Sequence, residues 1–365
     1  MKNPIAFFFI LLVFVTPNLW PQDTPQPIDK QIQQEAKEAP LRMQFRGKTA
    51  DECRRWQAEF AAKLRTLLGP FQPPKTWRTV VERTVELSDH RRQEIVLIAK
   101  GVPSLPMHLL IPKGKSEKRA GIVAVHGHGA FGHDVVAGRE LTPGMDDQIK
   151  KLNYDYGRQL VRHGYVVAVP CLTPFGRRLG DRKAYGSNDP CAVTFVRLQL
   201  LGKVLMAENL RDILWSLDFL AGQDGVDSDR LGCVGLSYGG RMTMLAAALE
   251  PHIKVAVVSG ALNCLQERIQ GRYSCGAQII PGLLQFGDVP EIASLIAPRP
   301  CLWEIGNKDK LLPRDWQELA LTRIARAYAA LGAKENLLVD RFEGGHQWHG
   351  TEAVRLLDKV LRNNP

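Results

Sequence analysis

The chain has 365 residues, 45% of them hydrophobic, enough for one large core with a small appendage. It carries a net charge of +10, yet the cations are scattered, and the densest run, Lys113 to Arg119, reads as a solvated loop between two strands. No basic helix or stacking aromatic set accompanies that charge, which argues against a nucleic-acid partner; affinity for an acidic polysaccharide or an anionic surface is not decided by charge alone.

Lys2 precedes an apolar run, Ile5 to Val15, that is too short for a membrane span of about 20 residues and reads as an export signal over residues 1–20. The flank Thr16 to Pro21 offers no A-x-A cleavage site, so the cut point stays open, with an uncleaved anchor as the alternative. No later segment is apolar enough to cross a membrane. Pro21 to Pro27 is Pro/Gln-rich and is expected to be a flexible leader. Ile28 to Leu68 is helix-like, with Cys53, Trp56, Phe60, Leu64 and Leu67 recurring on one face until Gly69-Pro70 stops it. That stripe reads as a packing face, which makes 21–70 a helical extension of a main domain over 71–365.

Strand-like runs at Thr79–Leu87, Glu94–Ala99 and Leu105–Ile111 suggest an antiparallel start. Buried apolar strands then alternate with helices. The strands are Ile122–Val125, Tyr165–Val169, Leu231–Leu236, Val255–Ser259, Cys301–Ile305 and Leu337–Phe342. The helices are Asp146–His163, Val204–Ala221, Gly240–Leu249, Arg314–Leu331 and Thr351–Leu361. Continuous apolar strands of this kind imply a doubly wound, mostly parallel α/β sheet covered on both faces. No internal repeat is apparent.

The run Leu231 to Gly240 ends an apolar strand in Gly235-Leu-Ser237-Tyr-Gly239 and opens a helix. A tight strand-to-helix turn would hold Ser237 in a strained conformation above the sheet, with Gly235 and Gly239 leaving room for it. Such a hydroxyl needs a base and a group that orients the base. Both are expected past later strands, in the order Ser, acid, His. Asp309 follows the strand Cys301–Ile305, and His346 follows the last strand and two glycines. His349 is the rival base. Asp288, Asp315 and Glu304 are weaker acids, and Asp309 could also be a solvated loop residue beside Lys308 and Lys310. The backbone amides of Tyr238 and His128 are the candidate oxyanion donors. His126 and His128 form a lone H-x-H without a third ligand, and no C-x-x-C is present, so no metal and no cofactor are expected. Of seven cysteines, Cys233 and Cys301 read as buried apolar residues. In an exported chain Cys171 could pair with Cys191, or Cys264 with Cys275, with connectivity open.

From Thr79 to Leu361 the chain resembles the α/β-hydrolase superfamily, in its acetyl xylan esterase-like and dienelactone hydrolase-like branch. The motifs are His126-Gly-His-Gly129, Glu208-Asn-Leu-Arg-Asp212, Asp227-Ser-Asp-Arg230 and Gly235-Leu-Ser-Tyr-Gly-Gly240. They continue with Pro281-Gly-Leu-Leu284, Ala297-Pro-Arg-Pro300, Gly306-Asn-Lys-Asp309 and Gly344-Gly-His346. The resemblance implies an ester hydrolase using Ser237, Asp309 and His346, and acylated carbohydrate as substrate class. Dienelactone hydrolases proper use a cysteine where this chain has Ser237. The stretch Pro170 to Arg178 departs from the aspartate and Gly-Glu-Arg patterns of related esterases; Arg177 and Arg178 could meet an acidic sugar but read more simply as solvated charge. The expectation is an exported serine carboxylesterase of small acyl, chiefly acetyl, esters. A serine peptidase of the prolyl oligopeptidase type shares the Gly-x-Ser-Tyr-Gly-Gly run but usually carries a long propeller; here only about 120 residues precede the first parallel strand. A catalytically dead binding module would have lost a triad member, and all three are present.

Overall fold

The computed structural model describes residues 27–114, 118–139, 142–180, 189–271 and 274–362. The candidate export signal and residues 21–26 of the leader lie outside them.

Nine strands form one sheet in the order β1-β2-β3-β5-β4-β6-β7-β8-β9. In chain order these are β1 (Arg78–Glu86), β2 (His90–Ile98), β3 (Leu105–Pro112), β4 (Arg119–Val125), β5 (Val166–Pro170), β6 (Val226–Leu236), β7 (Ile253–Ser259), β8 (Cys301–Gly306) and β9 (Leu337–Phe342). The first three pair antiparallel, and β3 joins β5 antiparallel through Met107 opposite Pro170. From β5 to β9 every pairing is parallel.

The continuous apolar runs fit a sheet buried on both faces. Along β4, Ile122 and Ala124 enter one core while Val123 and Val125 enter the other, and β7 repeats this with Val255 and Val257 against Ala256 and Val258. That alternation is the period-two geometry of a strand with helices above and below.

The N-terminal helices are α1 (Ile28–Lys37) and α2 (Ala50–Leu68). The short α3 (His133–Val136) follows β4, then α4 (Pro143–Leu152) and α5 (Tyr156–Arg162) lead to β5. Next come α6 (Pro190–Leu200), α7 (Leu205–Ala221), α8 (Tyr238–Leu249) and α9 (Leu265–Gly271). The last three are α10 (Val289–Ser294), α11 (Arg314–Ala330) and α12 (Thr351–Leu361). Residues of α2, α7, α8, α10 and α11 share one core, and residues of α3, α4, α5 and α12 share the other.

Two helices expected as single units are broken. The N-terminal one splits because Thr49 starts a new helix: its side chain accepts the Glu52 N–H, and the Glu52 carboxylate accepts the Thr49 N–H. The helix expected over Asp146–His163 stops at Asn153, which turns left-handed (φ 52°) and donates its side-chain amide to the Trp348 carbonyl. Sequence reading also passed over α6, which Asp189 caps by accepting the Cys191 and Ala192 amides.

The apolar stripe of α2 is a packing face. Cys53, Trp56, Phe60, Leu64 and Leu68 are all buried, with Leu68 rather than Leu67 ending the stripe. Gln57 donates to the carbonyls of Ser294 and Ala297, and Arg65 to that of Leu249. Ahead of α2, the amides of Leu41, Arg42 and Met43 bond to the carbonyls of Leu284, Gln285 and Phe286, and Gln266 of α9 donates to Ala36 of α1. Among the described residues no single helix is long and apolar enough to cross a membrane.

Candidate active site

At the carboxyl end of β6 the chain turns into α8 through Ser237, which sits at φ 63° and ψ −121°. A non-glycine residue at positive φ is strained and persists only where its surroundings over-determine it. Here a Cβ on Gly239 would overlap the Val125 carbonyl oxygen, and one on Gly235 would overlap the backbone of Gly239. The Ser237 N–H is fixed by the Ser259 carbonyl at 2.8 Å. Packing of α8 against the ends of β4 and β7 therefore dictates both glycines and the raised serine.

Asp309 lies on the loop after β8 and His346 on the loop after β9. The His346 Nδ1 and Asp309 Oδ2 are 2.7 Å apart, and Asp309 Oδ1 accepts the Leu311 N–H at 2.9 Å. The carboxylate is buried, with 1% of its side chain exposed, whereas the ring is 25% exposed. A buried carboxylate at Nδ1 holds the proton on that nitrogen and leaves Nε2 as the acceptor. His346 and Ser237 line the same cavity of about 250 Å³, with His128, Arg241, Gly260 and Asn263 around them. The fold thus gathers the three residues that sequence spacing singled out. A larger apolar cavity of about 420 Å³ lies beside it, sharing Arg268, but holds neither Ser237 nor His346.

Tyr238 is the first residue of α8, so its N–H has no intrahelical acceptor. Its ring is buried and turned from the cavity, the hydroxyl accepting from Asn209 Nδ2 at 2.7 Å. The loop carrying His128 is fixed by its neighbours. His126 uses both ring nitrogens, Nδ1 donating to the Gly127 carbonyl at 2.7 Å and Nε2 accepting the Leu172 N–H at 2.9 Å. Burial pushes its pKa down to about 4, so the ring is neutral. The Gly127 N–H is taken by the Tyr154 hydroxyl at 2.8 Å.

The two histidines of H-x-H take different hydrogen-bond partners, and those of His128 are ones that spacing could not reveal. Its Nε2 is 2.8 Å from Cys275 Sγ, and the Cys191 thiol completes a group whose donor atoms lie within 4.8 Å of one another. Hydrogen bonding from Cys191, then His128, holds the Cys275 thiol below its usual range. All seven cysteines are free, and Cys191 faces Cys275 rather than Cys171 because α6 carries it there. A His/Cys/Cys set suits a soft divalent ion. His108–His133–Asp134 and Glu304–Asp340–His349 are the other two groups with metal-compatible spacing among the described residues.

The rival residues are engaged elsewhere. His349 stacks on Phe342 and bonds Asp340 Oδ2 at 2.6 Å, outside the cavity lining. The Asp288 carboxylate accepts the amides of Leu265, Gln266 and Val289. Asp315 stands in the first turn of α11. Arg177 pairs with Glu82 at the surface, and Arg178 is mostly buried against Asp212, so the latter is not the solvated charge that its loop position suggests. Arg241 and Asn263, which sequence reading passed over, do line the cavity. The spacing of four from Ser237 in a helix was the available signal for Arg241.

Glu304 is buried in β8 and accepts the N–H groups of His349 and Gly350, tying down the segment after His346. Burial raises its pKa from 4.5 to about 6. The folded state therefore binds this proton more tightly than the unfolded chain. The associated stability is fully present below about pH 4.5 and is lost as pH rises through about 6. This amounts to about 2 kcal/mol at order of magnitude. Urea unfolding at pH 4.5 and 7 is expected to show that component in the wild type and not in Glu304→Gln; equal pH dependence in the two would contradict the assignment.

Residues 144–280 match the dienelactone hydrolase family. YtaP of Bacillus subtilis (strain 168), designated a hydrolase, is 27% identical over 317 residues, covering 84% of this chain and all of that one. Among solved structures, one from Bacteroides fragilis NCTC 9343 designated an acetyl xylan esterase superposes with a TM-score of 0.73 at 19% identity, covering 87% of this chain and 82% of that chain. A CE15 glucuronoyl esterase from Teredinibacter turnerae T7901 superposes with a TM-score of 0.61 at 15% identity, covering 89% of each chain. At these identities the structural likeness is one of fold.

Proposed function

We propose that this chain is a serine carboxylesterase that removes small acyl groups, chiefly acetyl, from carbohydrate, a reading supported by the match of residues 144–280 to the dienelactone hydrolase family and by the shared fold. The observation that carries this reading is Ser237 raised at positive φ on one cavity with a histidine whose far nitrogen is held by a buried carboxylate. In this mechanism His346 Nε2 takes the Ser237 hydroxyl proton as Oγ attacks the ester carbonyl. The N–H groups of Tyr238 and His128 hold the oxyanion, and Asp309 stabilises the imidazolium. Collapse expels the alcohol, which receives the proton from His346. Water then attacks the acyl-enzyme, His346 taking and returning its proton, and the carboxylic acid leaves. The cavity of about 250 Å³ is below the range usual for drug-sized ligands and suits a compact ester with a short acyl group. The apolar run Ile5 to Val15 supports export.

A panel of acetylated, feruloylated and glucuronoyl esters with a prolyl anilide tests the reading. Highest turnover is expected on acetyl esters and none on the anilide. Preference for bulky aromatic acyl groups, or cleavage of the anilide, would overturn it.

Gly260 follows β7 at φ 57°, and a Cβ there would lie 3.0 Å from Cε1 of His346. Gly260→Ala is expected to displace the ring and lower kcat about 100-fold with little change in KM. The left-handed backbone also costs about 1–2 kcal/mol with a side chain present. Undiminished kcat in a folded Gly260→Ala enzyme would argue against His346 as the base.

A further inference from the structure

Four arginines are buried among the described residues: Arg92, Arg211, Arg241 and Arg323. Three of them face carboxylates, Arg92 at Glu94, Arg211 at Glu208 and Asp212, and Arg323 at Glu291. Arg241 is the most buried of the four, 3% exposed, and among the described residues no carboxylate comes within ion-pair distance of it. One terminal nitrogen donates to the Asn263 side-chain oxygen, and its Nε–H has no partner. The nearby Asp288 carboxylate accepts three amides and acts on the guanidinium through space, without an ion-pair contact. A buried cation with no carboxylate in contact is costly, and natural folds seldom keep one without a use.

The position of this cation gives it one. Arg241 follows Ser237 by a single turn of α8, about 6 Å along the helix axis, and lines the same cavity as Ser237 and His346. Arg268 also lines that cavity but is already bonded to the Leu311 carbonyl and close to the Glu267 carboxylate. The free Nε–H and the terminal nitrogens offer a planar fork suited to two-point capture of a carboxylate. Resting on the esterase reading above, we propose that Arg241, positioned by Asn263, is an anion subsite, and that the substrates are esters whose alcohol portion bears a free carboxylate, such as O-acetylated uronic acid units. With a short acyl group on one side of the ester, the carboxylate on the alcohol side pairs with the guanidinium and orients the ester over Ser237.

The test compares an O-acetylated uronoside as its free acid with the corresponding carboxamide, which is neutral and of the same shape. The wild type is expected to favour the acid about 100-fold in kcat/KM, and Arg241→Gln to lose most of that ratio. A wild type that cleaves the two equally, or a ratio unmoved by Arg241→Gln, overturns the proposal. Calorimetric titration of the intact protein with free glucuronate reads the subsite without catalysis: binding lost in Arg241→Gln supports it, and no binding, or equal binding in both proteins, overturns it. If neither ester is cleaved while glucuronate binds through Arg241, the esterase reading falls and the subsite stands. Arg241→Met is further expected to melt no lower than the wild type, because it removes an unpaired buried charge; a large fall in Tm would mark a structural role and count against a ligand.

Discussion

Ser237→Ala is expected to lower kcat/KM on an acetyl ester by about 10⁴-fold or more and to abolish labelling by a fluorophosphonate. The fold should persist, because the residue's structural duties belong to its backbone: its N–H donates to Ser259 and its carbonyl accepts from Arg241. Alanine keeps both bonds, and the strained φ of 63° is imposed by the close packing of Gly235 and Gly239 rather than by the hydroxyl. Esterase activity and labelling surviving in a folded Ser237→Ala protein would remove the nucleophile from the mechanism. Residual hydrolysis above the rate in water is compatible with it, since in the proposed mechanism the amides of Tyr238 and His128 would still polarise a bound ester.

What the sequence made legible follows from how local each signal is. The strands β4, β6, β7 and β8 are apolar runs bounded by turn residues, so their existence and order could be read directly. Their burial on both faces explains why no polar alternation marked them. The strained turn at Ser237 was legible because a strand-to-helix turn of this kind compresses its constraints into five residues, with Gly239 forced by a carbonyl that belongs to β4. Asp309 and His346 were reachable through a topological rule, the carboxyl ends of successive parallel strands.

The rest depended on contacts between distant segments. The split at Thr49 was written as Thr49-x-x-Glu52 yet was overridden by the longer apolar rhythm on either side. The meeting of Cys191 with Cys275 rests on α6, whose start is set by the Asp189 cap rather than by periodicity. Arg178 resembled a loop cation, and only the fold brings Asp212 of α7 beneath it. That Arg241 has no carboxylate in contact is likewise invisible in sequence, because it is defined by which side chains the fold brings to it.

Asp309→Asn separates the chemistry of the site from its architecture. An asparagine can still accept the Leu311 N–H through its oxygen, which preserves the loop after β8. With that oxygen engaged, the amide NH2 faces His346 and offers an N–H to Nδ1, forcing the proton onto Nε2. The base is then disabled, and kcat is expected to fall about 10⁴-fold with Tm nearly unchanged. Because the three residues act as a unit, Asp309→Asn combined with Ser237→Ala should be no slower than Ser237→Ala alone. Additive losses in that cycle would mean Asp309 acts apart from Ser237, as a loop clamp through Leu311. The same variant measured in one-unit pH steps tests the tautomer argument: the Asp309→Asn rate should stay far below the wild-type rate at every pH where both proteins are folded.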